Sequence, residues 1–399
     1  MEILVLGGTG PMGIPLVEQL SLRGDNVYVT TRSHKKKKFN TERCKNVTYI
    51  YGNAKEQSFF EKLMTKKYDA IVDFMVYSTE ELRQRLKSLL EHTTQYVFFS
   101  SSRCYADSST PITENSPRLV DTCNDQKYLS TDEYGLAKGR EENLLFYSET
   151  NNWTIIRPYI TYNTYRIQLG VYEKEHWLKR LLDGRTLVFP EDIASKRTTL
   201  TYGPDVASAV VNLIGNKKAY GQAFHITTDE SHTWEEILVF YCRLIQEKTG
   251  KKAKVKMVEN STGLQKVWNP WQIRYDRLYN RTFSHSKIKA VSRGGGKRSI
   301  EFKSTFCGLE YCLDSFLKNP KWLGMNAKYE AWSDCQTGEF IPLLKIPGVM
   351  NKLIYFKYRY LVDLTAQPTL LSKFFDIVTR PTLLRNFVRF LRRCKNNML

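Results

Sequence analysis

A strand-like run, Glu2-Ile3-Leu4-Val5-Leu6, leads straight into Gly7-Gly8-Thr9-Gly10-Pro11-Met12-Gly13, and a helical pattern from Ile14 to Leu22 follows at once. The spacing of Gly7, Gly10 and Gly13 is GxxGxxG. Missing side chains let the backbone turn tightly and approach a pyrophosphate, which then rests on a helix N-terminus and its positive dipole end. Glycine triplets also build ordinary tight turns. The position between a strand and an amphipathic helix is what makes this one a phosphate cradle. Gly7, Thr9, Gly10, Met12 and Gly13 are therefore the expected dinucleotide contacts.

The alternation continues. Apolar runs at Val27 to Thr30, Val47 to Tyr51, Ala70 to Phe74 and Tyr96 to Phe99 are separated by helical patterns such as Glu80 to Leu90. Trp153 to Ile156 and Ala223 to Thr227 read as further strands. Short apolar runs between amphipathic helices predict an α/β fold, a Rossmann-type doubly wound parallel sheet covered on both faces. Thr233 and Glu236 fit a capping box opening another helix. From about 251 the texture becomes Lys-rich and aromatic, with a break at Gly294-Gly295-Gly296 and a helical run from Phe306 to Leu317. The expected division is a cofactor-binding domain over 1–250, a smaller C-terminal substrate-binding lobe over 251–340 and a basic amphipathic helical tail over 341–399. That tail holds 11 Lys or Arg against 2 Asp, punctuated by Pro368 and Pro381.

The chain is strongly basic, with a formal charge of +19 over 399 residues. Such an excess suits nucleic acid, an anionic membrane surface, or polyanionic ligands such as dinucleotides and sugar diphosphates. No run of apolar residues reaches the roughly 18 to 20 that a membrane span requires. With a strand starting at the second residue there is no place for a signal peptide, so the expectation is a cytoplasmic protein. Eight cysteines and six histidines form no CxxC pair and no metal-like grouping, which predicts structural thiols and no metal. Cys307 and Cys312 lie on one helical run with a spacing that turns them to different faces.

The end of the second strand chooses between nicotinamide cofactors, since a carboxylate there holds a ribose hydroxyl and a basic residue accommodates a 2′-phosphate. The sequence reads Val29-Thr30-Thr31-Arg32-Ser33, then His34 and Lys35 to Lys38. Arg32 can make a paired contact with phosphate and Ser33 can add a hydroxyl, so the expected cofactor is NADP(H) in preference to NAD(H). The lysines that follow are assigned no individual role, because such a run also suits a solvated loop.

Tyr134-Gly-Leu-Ala-Lys138 is a YxxxK pattern opening a helix that continues through Glu141-Glu142-Asn143. The i, i+4 spacing puts phenol and ammonium on one face. A nearby cation favours phenolate, which can take the proton of a hydroxyl as hydride leaves its carbon, or return it. The lysine can also hold the nicotinamide ribose. Ser101 lies in Phe99-Ser100-Ser101-Ser102-Arg103-Cys104-Tyr105, at the C-terminal end of a strand, the edge where parallel sheets bind ligands. Its hydroxyl can hydrogen-bond the reacting oxygen. Tyr134, Lys138 and Ser101 are the candidate catalytic residues, and Tyr134 and Lys138 also count as cofactor contacts.

With these residues together, the sequence resembles the extended short-chain dehydrogenase/reductases, the NAD-dependent epimerase/dehydratase family. Trp153-Thr-Ile-Ile-Arg157-Pro158 and the helix-opening Asp205-Val206-Ala207 also match, and the likeness spans about 1 to 320. The resemblance implies a nucleotide-linked sugar as substrate and a homodimer. It places Ser102 and Arg103 where the family's dehydratases carry an Asp-Glu pair. Elimination therefore lacks its acid and base, and the two side chains become substrate contacts. Asn53 stands where many members have an adenine-binding aspartate, Ile160 near the family's substrate-facing asparagine, and Arg197 beside its diphosphate-binding arginine.

The expected activity is NADP(H)-dependent redox chemistry on a ring carbinol or keto group of a nucleotide-activated sugar, as keto-sugar reductase or epimerase. Two alternatives stay open. The tail over 341–399 can lie on the inner face of an anionic membrane, with a polyprenyl-linked sugar as substrate, or pack on the protein's own body. The charge also suits an RNA-binding or regulatory protein that retains the fold, although such a module has no need of Ser101, Tyr134 and Lys138, so a nucleic-acid partner is not expected.

Overall fold

The computed structural model describes residues 1–32, 44–292 and 300–361. Ser33, the lysines 35–38, the Gly294 to Gly296 break, the segments around Pro368 and Pro381, and Cys394 lie outside the described residues.

Strand and helix follow one another as β1 (Glu2–Leu6), α1 (Gly13–Leu22), β2 (Asn26–Thr31), β3 (Val47–Tyr51), α2 (Gln57–Leu63), β4 (Tyr68–Asp73), α3 (Thr79–Glu91) and β5 (Thr93–Phe99). Then come α4 (Tyr134–Phe146), β6 (Trp153–Pro158), α5 (Gly203–Leu213) and β7 (Gln222–Ile226). The seven strands form one sheet in the order β7-β6-β5-β4-β1-β2-β3. Every pairing in it is parallel, with Ile3 opposite Val27 and Ala70, and Ile156 opposite Phe99 and Phe224. This is the doubly wound Rossmann architecture expected from the sequence.

Successive side chains of a strand face opposite ways, and both faces here are apolar. Ile3 and Val5 pack with Leu16, Val17 and Leu20 of α1 and with Val206 and Val210 of α5. Leu4 and Leu6 pack on the other side with Phe60, Leu82, Leu86 and Leu89. Each such side chain, fully removed from water, contributes about 1.5–3 kcal/mol. A capping box sets the start of α3: Ser78 Oγ accepts from Glu81 N (3.2 Å), while Ser78 N donates to Glu81 Oε2 (2.7 Å). Strand order reverses between β1 and β4, so the loops leaving these strands diverge and open a crevice at their C-terminal ends.

The described chain divides into two compact units that interleave. The first holds 1–167, 196–233 and 279–320; the second holds 168–195, 234–278 and the chain from 321. These units cross the sequential boundaries expected at 250 and 340. Helix α6 (Trp234–Thr249) belongs to the second unit, whereas α7 (Thr305–Lys318), the expected Phe306 to Leu317 helix, belongs to the first. On α7, Cys307 is exposed and Cys312 buried, and all seven described cysteines are free thiols.

The second unit is built on aromatic packing. Tyr172 lies 5.6 Å from Trp268 and 4.9 Å from Tyr329 between ring centroids, and Trp177 lies 4.5 Å from Tyr241. Its short strands Leu187–Pro190 and Val255–Val258 pair in parallel. Helices α8 (Ala327–Thr337) and α9 (Val349–Phe356) pack together, with Tyr355 OH donating to Asp334 Oδ2 at 2.5 Å. The first part of the basic segment thus packs on the protein's own body. Among the described residues no helix is long and apolar enough to cross a membrane.

Candidate active site

The glycine turn is shaped for close approach. Gly7 has φ +72°, a left-handed conformation that side chains disfavour, and its N–H donates to Thr30 Oγ1 at 2.9 Å. At Gly13 a β-carbon would come 2.5 Å from the Gly8 carbonyl oxygen, so only glycine lets α1 start this close to the strand. Gly10 has open space on the side where a β-carbon would stand, with no heavy atom within 4 Å. Met12, the cap of α1, makes no side-chain cap hydrogen bond. An open glycine in front of a helix start without a side-chain cap suits the pyrophosphate of a dinucleotide. Thr9 and Met12 are half-buried in this turn.

Arg32 directly follows β2 and is exposed. Asn53, two residues beyond β3, is half-buried. Its Oδ1 accepts from Lys55 N (3.2 Å) and its Nδ2 donates to Glu56 Oε1 (3.3 Å). The Asn53 amide is therefore engaged in its own turn.

The residues after β5 form a short 3-10 turn over Ser102–Cys104. Ser101 caps it, its Oγ accepting from Arg103 N at 3.2 Å. The start of α4 packs tightly on this turn: a β-carbon at Gly135 would lie 2.9 Å from the Arg103 carbonyl oxygen. Glu133 fastens the junction. Its carboxylate accepts from Gly135 N (2.9 Å), capping α4, and from the Arg103 guanidinium (2.7 Å). The Arg103 guanidinium carbon in turn lies 5.3 Å from the centre of the Tyr134 ring. Lys138 approaches the same ring, with Nζ 6.0 Å from its centre and 4.6 Å from that of Phe98. Ser101, Arg103, Tyr134 and Lys138 are thus gathered at one junction, and the half-buried Tyr134 ring has two cations within about 6 Å of its centre.

Beneath the junction lie charged groups without water. Lys138 and Glu141 are buried and paired at 2.8 Å. Burial pushes the Glu141 carboxyl up to about 7, against the pull of Lys138. Its Oε1 is buried without a hydrogen-bond partner. Asp73, at the end of β4, is buried as well and accepts from Met75 N (2.8 Å) and Tyr96 OH (2.9 Å). Burial raises it to about 6, although those donors and the charge of Lys138 favour its ionised form. Glu142 behaves oppositely. Burial opposes its charge, but Arg157, bonded through Nε and an NH2 group at 2.8 Å each, and Ser100 at 2.6 Å hold it below the usual carboxylate range.

The remaining expected contacts, Ser102 and Arg197, are bonded within the protein. Ser102 is fully buried and its hydroxyl donates to the Arg157 carbonyl at 2.8 Å. Arg197 is exposed, and its guanidinium bonds the carbonyl and the hydroxyl of Ser231. Sequence reasoning passed over Asp73, Glu133 and Glu141. The i, i+3 spacing of Glu141 from Lys138 was a usable signal; for Asp73, a lone acid at the end of an apolar strand was the only one.

Comparison with known proteins agrees with this architecture. The NAD dependent epimerase/dehydratase family matches residues 3–226. A curated relative, the chloroplast stem-loop binding protein of 41 kDa b of Arabidopsis thaliana, is 26% identical over 246 residues, 59% of this chain. The matched stretch spans 60% of that relative's length. Among solved structures, the Bordetella bronchiseptica enzyme WbmH, in complex with NAD+, superposes with a TM-score of 0.58 at 15% identity, covering 80% of this chain and 100% of that one. A UDP-N-acetylglucosamine 4-epimerase from Methanobrevibacter ruminantium, in complex with UDP-N-acetylmuramic acid, gives 0.56 at 14% identity, covering 79% and 98%. These two structures share the fold. With its parallel sheet, its glycine turn and a family match over more than half its length, the chain belongs to the NAD dependent epimerase/dehydratase family.

Proposed function

We propose that this protein is an NADP(H)-dependent oxidoreductase acting on a ring carbinol or keto group of a nucleotide-activated sugar. The observation carrying the proposal is the Tyr134 ring with the Arg103 and Lys138 cations beside it, on a helix start fastened to the Ser101 turn. The family and the NAD+ and UDP-sugar complexes of similar folds support the cofactor and substrate classes.

A nicotinamide held at the glycine turn would supply or accept the hydride. In the reducing direction the Tyr134 phenol gives its proton to the substrate oxygen while the Ser101 hydroxyl donates a hydrogen bond to that oxygen. The phenolate left behind, beside the Lys138 and Arg103 cations, regains a proton from solvent. Oxidation runs the same transfers backwards. Gly7, Thr9, Gly10, Met12 and Gly13 would hold the pyrophosphate, Arg32 with Ser33 the 2′-phosphate, and Arg197 the substrate diphosphate. Turnover on a panel of UDP- and dTDP-linked sugars and keto-sugars tests the reading. Stoichiometric NADPH consumption identifies a reductase, product formation with none an epimerase, and no turnover with either cofactor defeats both. Self-association as a homodimer and contact of 341–399 with a membrane surface belong to the same proposal.

A second reading is favoured by the stem-loop binding relative and the +19 charge: an RNA-binding protein on the same fold. It requires RNA affinity that falls steeply with salt, together with an absence of sugar turnover.

A further inference from the structure

Within residues 321–361 the acids turn inward, whereas Lys321, Lys345 and several apolar side chains stay exposed. Residues 321–361 hold six Lys or Arg and three acids, Glu330, Asp334 and Glu339. All three acids face the buried Arg180, whose guanidinium lies 2.7 Å from Glu330, 2.7 Å from Asp334 and 3.0 Å from Glu339. Arg185 adds pairs to Glu330 and Asp334. Lys321 and Lys345 stay exposed.

Near these lysines stand apolar side chains with little cover. Leu323 is 87% exposed, Phe340 64% and Leu344 93%. Leu323, Phe340 and Lys345 line a single cavity of about 700 Å³, and its three acids, Glu175, Asp183 and Glu330, are each paired with a neighbouring Lys or Arg, so that Lys345 adds an unmatched positive charge. Leu344 directly precedes Lys345 in the short turn Leu343–Lys345. Exposed apolar clusters of this kind mark interaction sites. Charge decides what fits. A second copy would bring Lys321 and Lys345 against themselves, and residues 362–399, with seven Lys or Arg against two Asp, would add like charge to like. A phosphate-bearing lipid surface neutralises both.

We propose that this face of the second unit docks on an anionic lipid bilayer. Leu323 and Leu344 enter the headgroup–acyl boundary, Trp322 lies at the interface, and Lys321 and Lys345 meet lipid phosphates. The proposal extends the membrane contact of the basic segment to a folded surface and does not depend on the redox reading.

The test is co-sedimentation of the full-length protein with phosphatidylcholine vesicles, with and without phosphatidylglycerol. Wild type partitions to the anionic vesicles only. Leu323→Ser combined with Leu344→Ser lowers partitioning by roughly tenfold or more, and Lys345→Glu by about tenfold; both keep the wild-type melting temperature because the side chains are exposed. Arg392→Glu with Arg393→Glu probes the basic segment separately. Absence of binding, equal binding to neutral vesicles, or full binding by the double leucine variant overturns the proposal. Loss of binding in the arginine variant with none in the leucine variant leaves the basic segment as the membrane contact and removes this face. Should the leucine variant dissolve a dimer in sedimentation velocity without affecting vesicle binding, the face is an interface between copies.

Discussion

Lys138 donates to Glu141 across 2.8 Å, one helical turn on from Tyr134, and water reaches neither charged group. While Glu141 is ionised it offsets the positive charge that Lys138 offers the Tyr134 phenol. With its carboxyl pushed up to about 7, the offset changes near neutral pH. The folded-state value lies above that of an unfolded glutamate, so the native state holds the additional proton between about 4.5 and 7, and the stability from this group falls as pH rises through that window. Glu141→Gln does not titrate. Its melting temperature relative to wild type should therefore climb from pH 5 to pH 8, by an amount on the order of 2 kcal/mol in stability. A difference independent of pH would show that Glu141 ionises as an ordinary surface acid.

Tyr134→Phe removes the phenol and keeps the ring beside its two cations. We expect turnover to drop by roughly a hundredfold to ten-thousandfold, with a far smaller loss of NADPH affinity. Steady-state kinetics and fluorescence titration of NADPH decide the matter, and undiminished turnover would remove Tyr134 from the chemistry.

The proposed preference for NADP(H) rests on Arg32. Arg32→Ala should weaken NADPH binding by about 1.5–3 kcal/mol, the range for a hydrogen bond to a charged group, and leave NADH binding unchanged. Equal losses for the two cofactors would mean that Arg32 does not recognise the 2′-phosphate.

The buried Arg157–Glu142 pair holds the floor of the Ser101 turn, since Ser100 and Ser102 bond to its two members. Arg157→Met leaves Glu142 buried with its main partner gone and should cost about 3–5 kcal/mol. Combining it with Glu142→Leu should recover much of that loss. Urea denaturation of the three variants measures both effects, and a single variant as stable as wild type would contradict the packing described.

Much of the first unit was legible because its strands are buried on both faces, so Ile3 to Leu6 and Val27 to Thr30 read as continuous apolar runs. The glycine turn and the Tyr134–Lys138 spacing are local patterns and survive without tertiary knowledge. Glu141 did not stand out, because an acid beside another acid on a helix reads as solvated; only packing against the sheet removes its water. Asp73 is similar, sealed by Tyr96 from the neighbouring strand. Membership of the second unit was equally hidden. Helical periodicity identifies α6 but carries no information on which body its apolar face joins.

That interleaving bears on how the polypeptide is made. The first unit receives its last piece, through Pro320, only after two excursions into the second, and the second begins at Gln168 but depends on residues past 321. A ribosome therefore releases neither body early. Nascent chains stopped near residue 230 should lack α7 and remain open to proteases, and the second unit should gain protection only once residues past 321 have emerged.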